Sequence, residues 1–292
     1  MSKFYDAIMG LVVGDALGVP FEFCQRDTFE ATGMTGYGTH NQPVGTWSDD
    51  SSMTLATIAS LVDCGEIDLE DIIAAFAQWF KYKRFTPYGE VFDIGITTRM
   101  AIDRWLDGYT EDQCGLRSML DNGNGSLMRI LPLAFVPGVT TEDICAVSAL
   151  THAHKISKVA CDIYIDVAKS LLAGHDVHYS INLAALTHTP AEFVRLLHLN
   201  TLRRDEIKST GYVVDTLEAA LWCLLKTDNY RDCVLTAVNL GGDTDTIAAV
   251  AGGLAGILYG IGGERGVPLE WVNVIARKEW IAQMCDRFDE IK

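Results

Sequence analysis

Apolar residues recur every three or four positions along most of the chain, and that spacing predicts helices. In 156–172, Val159, Ile163, Val167 and Leu171 fall four apart, as a core-facing stripe does. The same pattern predicts helices over 3–13, 52–64, 69–80, 94–106, 124–135, 141–150, 191–197, 212–225, 230–240, 244–259, 269–275 and 278–288. Strict alternation is almost absent, so strands are expected to be few and short, and the expected class is all-α. Between Gln25 and Trp47 the pattern lapses. Gly33, Gly36, Gly38, Pro43 and Gly45 punctuate a long loop there, and a loop of that length inside a compact domain is often functional. No low-complexity linker or internal repeat interrupts the chain, so residues 1–292 are expected to form one helical domain.

Composition narrows the function. Hydrophobic residues make up 49% of the 292 and charged ones 21%, enough to bury a core and too apolar for disorder. The net charge of -16 makes free nucleic acid a poor partner. Solubility is the plain reading of that charge, and carboxylates gathered around cations would be a second contribution. The eight cysteines include no CxxC pair; Cys161 and Cys223 sit in apolar helical patterns and read as small buried hydrophobes, not as a disulfide framework or a zinc site. The N-terminus lacks a signal-peptide layout, and the apolar stretch 247–261 is too short to span a membrane. A cytoplasmic protein without a membrane partner is therefore expected.

Several motifs carry candidate chemistry. Gly14–Glu22, GDALGVPFE, reads as a helix exit flanked by Asp15 and Glu22. In Gly45–Thr54, GTWSDDSSMT, the run Ser48, Asp49, Asp50 precedes an apolar-periodic helix. One such residue suffices as an N-cap, and acids suit the positive end of the helix dipole. Several oxygen side chains in a row exceed that need and suit a hard cation. Gly241–Gly256, GGDTDTIAAVAGGLAG, places Asp243, Asp245 and Thr246 in the first turn of a helix whose Gly252, Gly253 and Gly256 permit close packing. It lacks the glycine and glutamate of an EF-hand loop. Asp49, Asp50, Asp243 and Asp245 in one pocket would repel strongly, and two divalent cations would balance their four charges. In Gly123–Arg129, GNGSLMR, glycines expose backbone amides at an expected helix start, and Arg129 offers a donor fork suited to phosphate. His152 and His154 in THAHK are two apart, which fits no helical zinc pair, and surface or capping roles stand open beside a substrate contact.

Taken together, GDALGVPFE, SDDSSM, GNGSLMR, the TH-x-H segment and GGDTDT resemble the ADP-ribosylglycohydrolase superfamily in order and rough spacing over nearly the whole chain. So does STGYVVDTLEAALWCL, which looks like the segment before the last motif in the dinitrogenase-reductase-activating branch. The resemblance implies a compact, orthogonal all-α bundle with a binuclear cleft holding two Mg²⁺ or Mn²⁺. It implies Ser48, Asp49, Asp50, Asp243, Asp245 and Thr246 as metal ligands and Glu22 or Asp93 as the acid/base. Gly123, Asn124, Gly125 and Ser126 match a loop that contacts phosphate and ribose, and Tyr212 an aromatic contact; Arg129 and His152 are counted with them as substrate contacts. The implied activity is glycosidic hydrolysis that frees ADP-ribose from an ADP-ribosylated protein or small molecule, with an N-glycosidic link such as ADP-ribosyl-arginine foremost. A non-catalytic ADP-ribose-binding or structural member of the same fold is the alternative, and the presence of all four aspartates counts against it. The chain departs from the family pattern in having Ser48 for threonine. From the dinitrogenase-related branch it departs at Ile96, where that branch has asparagine, and at Met119, where it has an acid.

Overall fold

The computed structural model describes residues 2–188 and 191–292. Its helices are α1 (Lys3–Gly18), α2 (Asp49–Cys64), α3 (Leu69–Tyr82), α4 (Ile96–Leu106), α5 (Glu111–Cys114), α6 (Thr141–Ala149), α7 (Lys155–Leu172), α8 (Val177–Thr187), α9 (Val213–Lys226), α10 (Tyr230–Val238), α11 (Thr244–Tyr259), α12 (Leu269–Val272) and α13 (Lys278–Glu290). Among the described residues, extended pairing is confined to isolated bridges, so the all-α expectation holds. Many starts follow from cap chemistry: Ser2, Ser48, Asp68, Thr140, Asp176 and Asn229 each accept a first-turn backbone N–H. Buried apolar residues form one cluster reaching from Phe4 to Phe288.

Four local expectations need correction. Residues 124–135 are not a helix: turns lead into a 3-10 stretch, Leu131–Phe135, where Pro132 has no N–H to give. Ala191–Thr201 is 3-10 rather than α. Helix α8 escapes the periodicity reading because Val177, Ile181, Leu183 and Leu186 are spread around it and leave no stripe. Helix α1 runs on through Gly14 to Gly18 instead of ending at Val13.

The extension of α1 has a packing cause. Gly10, Gly14 and Gly18 form a ridge four residues apart that lies directly against the backbone of α11. A Cβ on Gly14 would stand 2.1 Å from the Ala248 carbonyl oxygen, and one on Gly18 2.3 Å from the Asp245 Cα. Only hydrogen fits there, so the two helices meet backbone to backbone. Thr244 Oγ1 donates to Gly18 O at 2.8 Å and fastens the start of α11 to the end of α1. The close packing read from Gly252 and Gly256 is thus present, with α1 as the partner. The segment Lys3–Phe21 has mean hydropathy 1.4 and is long and apolar enough to cross a membrane. In the fold 89% of that window is buried, as in a core helix.

A polar tie holds α8 against α7. His188, at the C-terminal end of α8, bonds Asp166 at 2.8 Å and lies 3.7 Å from Asp162. The bond to Asp166 raises the His188 pKa above 6.5, against the opposing effect of burial. A raised folded-state histidine pKa means that this stabilisation is fully present below pH 6.5 and is lost as pH climbs through the raised value. Amide exchange in Val177–Thr187, corrected for its intrinsic pH dependence, is expected to speed up above pH 7 in the wild type. It should do so much less in His188→Gln; equal acceleration in both would refute the tie.

Candidate functional site

Three chain segments converge on one cleft: the end of α1 with the residues after it, the start of α2, and the start of α11. At the α2 start, Ser48 is the N-cap; its Oγ accepts from Asp50 N at 3.2 Å and donates to Asp50 Oδ2 at 2.9 Å. Asp15, from α1, accepts from Ser48 N at 2.9 Å, from Ser51 N at 3.0 Å and from Ser51 Oγ at 2.5 Å. Two first-turn donors of α2, Asp50 N and Ser51 N, are therefore met by Ser48 and Asp15, so neither calls on the carboxylates of Asp49 and Asp50. The capping explanation for that aspartate pair fails on these contacts.

At the α11 start, Gly241 and Gly242 adopt φ of +71° and +76° and turn the chain so that Asp243 becomes the N-cap residue. Asp243 Oδ2 accepts from Asn124 Nδ2 at 2.8 Å, and Asp245 Oδ1 from Thr246 N at 2.9 Å. Thr246 Oγ1 donates across to Asp50 Oδ2 at 3.3 Å, so the two acidic motifs meet. Among the described residues, Asp50 Oδ1, Asp243 Oδ1 and Asp245 Oδ2 are buried with no hydrogen-bond partner. One carboxylate oxygen each from Asp15, Asp50 and Asp245 lies within 4.8 Å of the others, and so does each of the sets Glu22, Asp243, Asp245 and Asp49, Asp50, Asp93.

Buried acceptor oxygens without donors, clustered at that spacing, are what a hard cation satisfies, since it takes several oxygen ligands at short range. The donor set is dominated by oxygen and fits a magnesium- or manganese-like ion; one imidazole, that of His40, also lies within 4.8 Å of Glu22 and Asp93 at its edge. Electrostatics agrees. Asp49, Asp50 and Asp245 are all pushed well above the normal carboxylate range, first by burial and then by the charges of neighbouring carboxylates. Asp15 rises to about 6 through burial, held from rising further by its bonds from Ser51 and Ser48. Bound cations would reverse the sign of that pressure and keep the group ionised.

Glu22 and Asp93 stand at the mouth. Both reach about 8, through burial first; the next cause is the charge of Asp243 for Glu22 and that of Glu22 for Asp93. The contact between them holds Glu22 down and Asp93 up, and two carboxyls so paired lose their protons in separate steps. His40, from the long loop after α1, hydrogen-bonds Glu22 through Nε2 and packs against the ring of Phe92 at 5.0 Å. Asp93 itself holds φ of +60°, uncommon for a side-chain-bearing residue.

These groups line a cavity of about 350 Å³, with Asp49, Asp243 and Thr246 on its wall together with Gly123, Asn124, Gly125 and His152. The glycine loop is not a helix start. Gly123 pairs with Tyr212, Asn124 N donates to Gly211 O at 3.0 Å, and the segment is shaped to present Asn124 to Asp243. The expected phosphate contact from Arg129 is corrected. Because the chain after Gly125 turns rather than coils, Arg129 points inward, fully buried over Phe76 at 4.5 Å. Ser126 is likewise buried behind the cleft, where its Oγ accepts from Ser148 Oγ at 3.0 Å. Tyr212 is partly exposed and outside the cleft lining. His154 is a cap of α7 that also meets Asn122 Oδ1 at 2.9 Å.

Two residues escaped the sequence reading. Asp15 is fully buried, where its motif marks only a helix exit; an acid inside the all-round apolar run of 3–18 is the available signal. His40 had none, since it reaches Glu22 from a loop without periodicity.

The chain is similar to known proteins over its whole length. The profile of the family described as ADP-ribosylglycohydrolase matches residues 1–292. The chain is 32% identical to the ADP-ribosylarginine hydrolase Tri1 of Serratia proteamaculans, over 98% of this chain and 79% of that one. It is 33% identical to the ADP-ribosyl-[dinitrogen reductase] glycohydrolase of Rhodospirillum rubrum, over 93% of this chain and 90% of that one. A solved structure titled ADP-ribosylglycohydrolase-related protein complex superposes with a TM-score of 0.86 at 28% identity, covering 99% of this chain and 97% of its own.

Proposed function

The chain belongs to the ADP-ribosylglycohydrolase family, and we propose that this hydrolase, which removes ADP-ribose from an acceptor, acts on ADP-ribosyl-arginine with the help of two divalent cations. The observation that carries the cation reading is the trio of buried, partnerless oxygens of Asp50, Asp243 and Asp245. Ser48, Asp49, Asp50, Asp243, Asp245 and Thr246 would hold the ions, which when bound supply electrophilic grip on oxygens of the substrate and counter the pocket's charge. The arginine reading is supported by the carboxyl oxygens of Glu22, Asp93 and Asp49 on the wall of the cleft, which can accept from the N–H groups of a guanidinium. Relatives named for ADP-ribosylarginine point the same way.

The residues of the chain divide the chemistry. Glu22 and Asp93 are both pushed up to about 8, so the pair holds its protons at neutral pH, and loss of the first leaves an acid and a base side by side. The ionised member takes a proton from water as its oxygen bonds to the anomeric carbon. The protonated member gives its proton to the departing guanidine nitrogen as the C–N bond breaks. Ionised neighbours favour the positive charge that develops at the anomeric carbon. Asn124, anchored on Asp243, fixes the floor on which the ribose side rests.

A panel of ADP-ribosylated arginine, serine and nucleobase substrates, each assayed with magnesium, with manganese and with chelator, tests this reading. Arginine release is expected to lead, and chelation to remove it. Titration calorimetry should give about two ions per chain, as the balance of four aspartate charges requires. Serine release ahead of arginine, or full turnover in chelator, would overturn the corresponding half.

A further inference from the structure

Arg129 is a fully buried cation, and no carboxylate pairs with it among the described residues. Its Nε and Nη1 lack partners, while Nη2 donates to Val147 O at 3.1 Å and to Thr151 Oγ1 at 2.9 Å. A buried, unpaired charge is costly, so its retention calls for a reason beyond packing. Thr151 Oγ1 lies 2.9 Å from His152 Nδ1. Arginine can only donate, so the threonine hydroxyl accepts from it. That hydroxyl carries one proton of its own, and among the described residues His152 Nδ1 is the acceptor it reaches. Nδ1 is thereby an acceptor, and the single proton of a neutral imidazole sits on Nε2.

The Nε2 edge faces the cleft. A Cβ on either Gly123 or Gly125 would come within 3.4 Å of Nε2, so the two glycines keep that edge open. His152 is only 2% exposed. Burial first, and then the Arg129 charge, push its pKa down to about 3, so a second proton is excluded across the physiological range.

We propose that Arg129 and Thr151 are positioning residues that lock His152 as a neutral Nε2–H donor aimed at an acceptor oxygen of bound ADP-ribose. The clause about ADP-ribose rests on the function proposed above; the locked tautomer stands on the contacts alone. A locked donor reads an oxygen and takes no part in proton transfer, which leaves the acid and base work to Glu22 and Asp93.

The test is nitrogen-15 NMR of histidine-labelled, ligand-free protein, with the His152 signals assigned by their loss in His152→Gln. The wild type should show Nε2 protonated and Nδ1 bare, unchanged from pH 5 to pH 8. Thr151→Val keeps the shape and removes the hydroxyl proton, and should give a mixed tautomer with ADP-ribose binding weakened roughly five-fold, the effect of one misdirected hydrogen bond. Thr151→Ser should restore both. A wild type with Nδ1 protonated, a His152 that titrates inside that window, or a Thr151→Val spectrum like the wild type would overturn the proposal. ADP-ribose failing to bind the wild type would instead overturn the reading of the cleft and leave the tautomer result standing.

Discussion

Asp245→Asn should abolish nearly all hydrolysis while leaving the fold intact. Asparagine keeps the size of the side chain and an oxygen for the bond from Thr246 N, which spans 2.9 Å in the wild type. What it removes is the charge behind Oδ2, the buried oxygen with no partner in the protein. If that charge holds a cation, the loss amounts to several kcal/mol of transition-state stabilisation, or about a thousand-fold in turnover. Metal affinity should fall with it. The metal-free melting temperature should hold or rise, because the pocket loses one of its mutually repelling charges. Were Asp245 only an acid at a helix start, the change would cost about 0.3–1 kcal/mol of stability and spare turnover. Near-normal rates at saturating magnesium and manganese would refute the metal role.

The largest stability effect belongs to a methyl group. Gly14→Ala would put a Cβ where the Ala248 carbonyl oxygen already stands, 2.1 Å away. Backbone cannot rotate aside as a side chain can, so α1 and α11 must separate or tilt. Overpacking of this kind costs typically 1–3 kcal/mol and occasionally more; with no flexible neighbour to yield, about 3 kcal/mol is expected. In a protein of this size that lowers the melting temperature by about 5 °C. Activity should fall even below the melting transition, because the start of α11 carries Asp243, Asp245 and Thr246. A melting temperature within about 1 °C of wild type, on the order of less than 1 kcal/mol, would show that the helices yield easily.

The long helices were legible because each buries one face or is apolar throughout: the stripe of α7 and the glycine spacing of α11 are both statements about packing that a sequence can make. So were the ligand candidates, because Asp49, Asp50, Asp243 and Asp245 are adjacent or one apart and crowd oxygens into a single turn. What the sequence hid was direction. Arg129 and Asn124 stand in one short motif, yet one turns away from the cleft and the other into it, and that choice is made by a run of turns whose backbone angles no periodicity encodes. Long-range partners were hidden for the same reason. Asp15 caps a helix 33 residues further on, and His40 grips Glu22 from a loop. Neither contact leaves a local trace, since local patterning records which face is apolar and not what lies opposite it.

The seam between α1 and α11 also bears on how the chain is made. Its two sides are far apart in sequence: Thr244 and Gly18, which hydrogen-bond across it, are 226 residues distant. A ribosome adding about 5–20 residues per second needs roughly 11–45 s to cover that gap. Throughout that interval the glycine ridge of α1 lies open on a segment with the hydropathy of a membrane span. Helix α1 is therefore a stretch that chaperones would meet exposed, and the site it will frame cannot assemble until the start of α11 has emerged.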